Sequence, residues 1–159
     1  MDIQIDMQGL SALTAKLQTL KQETRYKGGR TAGRKAANVI AGAAKLKAAQ
    51  IDDPKTAEHI MKNIAVRWNA RLFKKTGDLG FRIGVRGGAK SKQENDTNPG
   101  KDTWYWRLVE FGTVKTAAKP FMRSALQESS QAAVNTFISE YQKAIDRAIK
   151  RAAKNGVTA

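Results

Sequence analysis

From Phe121 onward the apolar residues fall at helical spacing: Phe121, Met122, Ala125, Leu126, Ala133, Val134, Phe137, Ile138, Tyr141, Ile145, Ala148 and Ile149. Steps of three and four residues put them on one side of a single long helix. The end of that helix is basic, through Lys143, Arg147, Lys150, Arg151 and Lys154, which complements the negative end of its dipole. A rod with one apolar stripe has to lay that stripe on something, so the rest of the chain is read for elements able to receive it.

At the other end of the chain, Ile3, Ile5 and Met7 alternate with Asp2, Gln4 and Asp6 ahead of Gly9, the period of a short half-buried strand. Leu10, Leu13, Leu17 and Leu20 then share one helical face, while Lys16, Gln18 and Lys21 point away. Three glycines between Tyr26 and Gly33 predict that this helix loosens or ends there, because glycine costs about 1 kcal/mol relative to alanine inside a helix. A second helix fits Arg34 to Gln50, with Ala36, Val39, Ile40, Ala43, Ala44 and Leu46 as an apolar side that lets another helix come close. Asp53 and Pro54 read as an N-cap and a first helical position, which predicts a short third helix over Pro54 to Lys62. His59, the only histidine, lies in it and reads as a surface or packing residue rather than a metal ligand.

From Ile64 the period changes to two. Ile64, Val66, Trp68, Ala70 and Leu72 alternate with Arg67, Asn69 and Arg71, and Leu79, Phe81, Ile83 and Val85 alternate with Arg82 and Arg86. The intervening KKTGD predicts a turn and an antiparallel hairpin with an arginine-bearing outer face. Residues 87–102 (GGAKSKQENDTNPGKD) hold nothing apolar larger than alanine and read as a long flexible loop. The whole is expected to be one α+β domain over residues 1–159, with a small mostly antiparallel sheet packed against helices and a long C-terminal helix.

Charge narrows the partners. Twenty-nine Lys and Arg against 14 Asp and Glu leave a formal net charge of +15, which favours nucleic acid, an anionic membrane surface or an acidic protein face. No apolar run reaches the length of a signal peptide or a bilayer span, so a protein made in the cytoplasm with no membrane partner is expected. The absence of cysteine excludes disulfides and thiolate zinc sites. Candidate phosphate contacts are Arg67, Arg71, Arg82 and Arg86 on the hairpin and Lys143, Arg147, Lys150 and Arg151 on the long helix. No helix-turn-helix, ribonucleoprotein or zinc-finger signature accompanies them, so a small basic DNA-binding protein without sequence specificity is the alternative function.

Catalytic signatures are missing. GGRTAGRK has neither the Walker spacing nor an apolar strand before it, and Asp52, Asp53 and Glu58 are adequately explained by helix capping. The expectation is no enzyme, no cofactor and no metal.

The stretch WYWRLVEFGTVKTAAKPFMRSAL, Trp104 to Leu126, is unlike the rest of this Lys- and Ala-rich chain. Glu110 sits between Val109 and Phe111, and a buried carboxylate needs a partner: Arg107 or Arg123, in the same chain or across a subunit boundary. Trp104, Trp106 and Phe111 are expected to anchor a last strand or turn to the core. Gly112 is expected to reverse the backbone and Pro120 to start the helix. The stretch is then a corner that sets the long helix against the sheet.

This stretch resembles the neck and tail-completion proteins of long-tailed double-stranded DNA bacteriophages, small virion proteins that help join a capsid to its tail. An aromatic followed by V-E-F-G-T and then P-F-M-R-x-A is matched by Trp106, Val109 to Thr113 and Pro120 to Ala125, and TGDLGFRIGV (Thr76 to Val85) is similar to a Gly-x-Leu segment of the family. The resemblance implies a structural virion protein of the head-tail junction, assembled from the host cytoplasm as a homo-oligomeric ring of six or twelve copies. Other neck and tail proteins would be its partners, with non-specific contact to genomic DNA in the channel. By the same resemblance Trp104, Trp106, Glu110, Phe111, Gly112, Thr113, Pro120, Phe121 and Arg123 form the family motif and a candidate subunit interface.

Overall fold

In a computed structural model of the chain, residue 14 and residues 22–51, 59–86 and 103–154 are described. The expected first strand, most of the leucine-faced helix, the Asp53–Pro54 cap and the loop at 87–102 lie outside the described residues. The elements are α1 (Gln22–Ala49), α2 (Ile60–Asn63), β1 (Ile64–Trp68), α3 (Ala70–Thr76), β2 (Phe81–Val85), α4 (Trp106–Phe111) and α5 (Met122–Lys154). Their composition is α+β, with the long C-terminal helix where the apolar spacing put it.

Two of the expectations about helices and strands are corrected first. The glycine-rich stretch does not end a helix, because α1 passes through it unbroken. An added Cβ would meet Leu79 Cδ1 at 2.6 Å from Gly29, Phe81 Cε2 at 2.8 Å from Gly33 and the Tyr141 ring at 3.1 Å from Gly28. These glycines cost helix propensity and return close packing against larger side chains.

The expected hairpin turn is the other correction. Residues 70 to 76 form α3 instead, so Ala70, Arg71 and Leu72 are not strand residues. Asn69 Oδ1 accepts the Leu72 N–H at 3.2 Å, and Gly77, at φ 79°, closes the other end with its N–H bonded to the Phe73 carbonyl. An N-cap and a left-handed C-cap one helix apart outweigh a two-residue alternation. The strands still pair: Asn69 N–H bonds the Gly80 carbonyl at 2.9 Å and Arg86 N–H bonds the Asn63 carbonyl at 2.8 Å. That antiparallel register sets Ile64 opposite Val85 and Trp68 opposite Phe81.

Residue contacts divide the chain into two compact units, residues 1–38, 68–82 and 130–159 in one and residues 39–67 and 83–129 in the other. The first holds a small core of Ala32, Tyr141 and Ile145 with Phe137 and Ala148 packed on it. Beside it Trp68 meets the Phe73 and Phe81 rings at 5.5 and 5.3 Å, Tyr26 meets Phe73 edge-on at 5.3 Å, and the Arg30 guanidinium lies 4.6 Å over Trp68. The second unit is built on Ala41, Ala44, Ala48, Ile60, Ile64, Phe121 and Ala125, with Val66, Ile83, Tyr105, Trp106 and Val109 against them. The buried side of α1 is thus the alanines at 37, 41, 44 and 48, and Leu46, expected on that side, is exposed. Alanine spacing of three and four residues keeps α1 smooth enough for close approach of bulkier neighbours.

Candidate functional site

The corner at residues 104–123 is helical, not strand-like: Trp106–Phe111 forms α4. On a helix the residues at 105, 106, 109 and 110 turn the same way, and Tyr105, Trp106 and Val109 pack on the core beside Phe121. Trp104 and Phe111 therefore point outward, 57% and 63% exposed, and the expectation that both anchor the corner to the core is corrected. Trp106 and Phe121 carry that task.

Glu110, 1% exposed, is the centre of the corner. Its Oε2 accepts the N–H groups of Phe121 at 2.8 Å and Met122 at 2.9 Å, and its Oε1 accepts the Arg123 N–H at 3.0 Å. The Ala125 N–H bonds the Phe121 carbonyl at 3.1 Å, so these are the cap residue and the first two residues of α5, whose N–H groups have no partner within the helix. A carboxylate there also meets the positive end of the helix dipole. Arg123 completes the arrangement, its Nε donating to Oε1 at 3.1 Å and its Nη2 to the Glu110 carbonyl at 2.7 Å. The ion pair is intramolecular and with Arg123; Arg107 lies instead over the Trp106 ring at 5.5 Å. Pro120 does not start α5 but precedes the cap, its carbonyl accepting the Ser124 hydroxyl at 2.6 Å. Proline supplies no N–H, so the carboxylate has one donor fewer to satisfy just ahead of the cap.

Gly112 reverses the backbone as expected, at φ 78° and ψ 177°, with the Ala118 N 2.8 Å from where a Cβ would stand. Thr113 then closes a tight turn: its N–H bonds the Thr116 carbonyl at 2.9 Å, and its hydroxyl accepts from Lys115 N–H at 3.2 Å and Thr116 N–H at 3.1 Å. A second fastening was not anticipated. Buried Asn63 donates through Nδ2 to the Thr103 hydroxyl at 2.9 Å, which donates to the Arg86 carbonyl at 3.1 Å. The signal for it was faint, two polar residues without periodic neighbours.

The candidate polyanion contacts are all exposed. Arg67 stands on β1, Arg82 on β2, Arg86 just beyond it, and Arg71 on α3 rather than a strand. Lys143, Arg147, Lys150 and Arg151 follow one another along α5, and a groove there is lined by Lys35, Glu140, Lys143, Asp146, Arg147 and Lys150. Hydrogen bonds from Lys35 and Lys143 hold the Glu140 carboxyl below the ordinary 4.5, and burial pushes the Tyr141 phenol above 10.0, opposed by nearby Arg25. Among the described residues no group of three His, Cys, Asp or Glu is placed to hold a metal, and no helix is long and apolar enough to cross a membrane.

Comparison with the curated proteins and with the solved structures gives no match. Comparison with protein families gives one over residues 11–112, the HK97-gp10-like family, described as "Bacteriophage HK97-gp10, putative tail-component". That span covers α1 to α4 and ends at Gly112, the last residue of the capped corner's first half. With most of its length matched, the chain belongs to the HK97-gp10-like family of bacteriophage tail components and is a structural protein of the phage tail.

Proposed function

We propose that the protein acts without catalysis, as a ring-forming subunit at the head-tail junction that completes or connects the tail. The observation that carries this reading is the two-stranded sheet: among the described residues β1 and β2 pair only with each other, so each keeps an outer edge. Open edges are the natural place for a neighbouring copy to add. The long helix, fixed at its start by Glu110, gives each copy a rigid second surface, and a head-to-tail contact of that kind closes into a ring when its rotation is cyclic. Six or twelve copies suit such a junction. Glu110 itself supports a structural role, since its carboxylate is taken up by the backbone of Phe121, Met122 and Arg123 and by the Arg123 side chain. Mass measured over a concentration series, with electron microscopy for annular particles, tests the reading; a monomer at every concentration and no annuli would sink it.

A second reading rests on α5, where Lys143, Arg147, Lys150 and Arg151 are exposed in succession. They suit non-specific contact with DNA in the channel, or with an acidic neighbouring ring. Tight, steeply salt-dependent duplex binding by the monomer would favour a standalone DNA-binding protein instead.

A further inference from the structure

We propose that the outer side of α4, with the turn that follows it, is a docking surface for an acidic face of a different tail protein. This rests on the reading of the chain as a tail assembly subunit. Helical geometry turns Tyr105, Trp106, Val109 and Glu110 inward, which leaves Trp104, Arg107, Leu108 and Phe111 outward. Leu108 is 45% exposed beside the still more exposed Trp104 and Phe111, and Val114 is fully exposed at the tip of the Thr113–Thr116 turn. Four large apolar side chains within eleven consecutive residues are more than scattered surface exposure, and aromatic and arginine side chains are the usual anchors of protein interfaces.

The surface is also built in advance. The bonded turn and the Gly112 conformation hold Val114 outward, and the Arg123 guanidinium already rests 4.9 Å over the Phe111 ring. Phe111 and Val114 thus have little freedom left to lose on binding.

Charge selects the occupant. Arg107, Lys115 and Arg123 rim the apolar residues, while the one acid between residues 103 and 127 is Glu110, buried and committed to α5. Carboxylates around an apolar centre complement such a face, and another cationic face repels it. A second copy, with a net charge of +15, is a poor match for this cationic face, and its Glu128 and Glu140 are already ion-paired with Lys47 and with Lys35 and Lys143. Phosphates gain nothing from aliphatic Leu108 and Val114.

A photo-crosslinking residue tests the surface: Leu108→p-benzoylphenylalanine, introduced in the full chain during phage assembly, with adducts in purified particles identified by mass spectrometry. The expected result is an adduct to an Asp- or Glu-rich peptide of another tail protein. Adding Arg107→Glu and Lys115→Glu, with helicity unchanged by circular dichroism, is expected to lower its yield about tenfold. An adduct within the chain, to a second copy or to DNA, or no adduct while the chain is present in particles, overturns the surface alone. Absence of the chain from purified particles overturns the tail-assembly reading, and the surface with it.

Discussion

Replacing Glu110 and Arg123 in turn with alanine separates the two jobs of Glu110, helix cap and ion-pair partner. The substitution strips an acceptor from three backbone N–H groups, of which that of Phe121 belongs to a buried residue and that of Met122 to a half-buried one. A buried donor left without a partner costs about 1–3 kcal/mol and loss of a cap about 1 kcal/mol. With the half-exposed Arg123 side chain released as well, the total is roughly 2–4 kcal/mol. Arg123→Ala is the comparison. It leaves the carboxylate its three backbone donors and removes a side chain that is half exposed, so roughly 1 kcal/mol is expected. Glu110→Gln should fall between, because its amide nitrogen would face donors at one of the two oxygen positions. Urea unfolding reads all three as shifts of midpoint at constant slope. An Arg123→Ala cost equal to that of Glu110→Ala would show that the ion pair, not the cap, holds the corner, and the reasoning would fail.

Glycine substitutions on α1 should differ in sign: Gly42→Ala, with nothing within 4 Å of the new Cβ, stabilises by about 0.5–1 kcal/mol, whereas Gly33→Ala meets the Phe81 ring and destabilises. Thermal melts of the two variants check this. Asn63→Ala removes a fully buried donor from the Thr103 hydroxyl and should cost about 1–3 kcal/mol in denaturant unfolding. Because the Tyr141 phenol is raised in the folded state, its contribution is whole below pH 10.0 and is lost as pH climbs through the folded value. Tyr141→Phe should flatten that alkaline decline of the melting temperature. Glu140 works the other way: its lowered carboxyl contributes above pH 4.5 and is lost as acid takes the pH down through the folded value, a loss that Lys35→Met should reduce.

What was legible in the sequence depended on whether one physical effect dominated. The apolar stripe of α5 was read because Ala125, Ala133, Tyr141 and Ile145 repeat over many turns, and they are buried, whereas Leu126 and Ile149, expected on the same stripe, lie at its margin and are exposed. Gly112 was read because only glycine takes its backbone angles easily. Where two effects compete over a few residues, the wrong one was chosen. Alternation from Ala70 to Leu72 hid the caps at Asn69 and Gly77, and helix propensity at Gly28, Gly29 and Gly33 hid the bulk of Tyr141, Leu79 and Phe81 packed there. At the corner, Glu110 and Arg123 were paired from sequence among two options, but the three backbone donors were not, since a cap supplied from another element leaves no local spacing. Leu108 and Val114 were overlooked, although Trp104, Leu108 and Phe111 already follow a four-then-three rhythm.

The Asn63–Thr103–Arg86 fastening makes residues 86 and 103 a single mooring point. Tension or slack arising between them is grounded there before it reaches β2 or α4. The end of β2 and the approach to α4 therefore share one polar clasp, and loss of either Asn63 or Thr103 would loosen both.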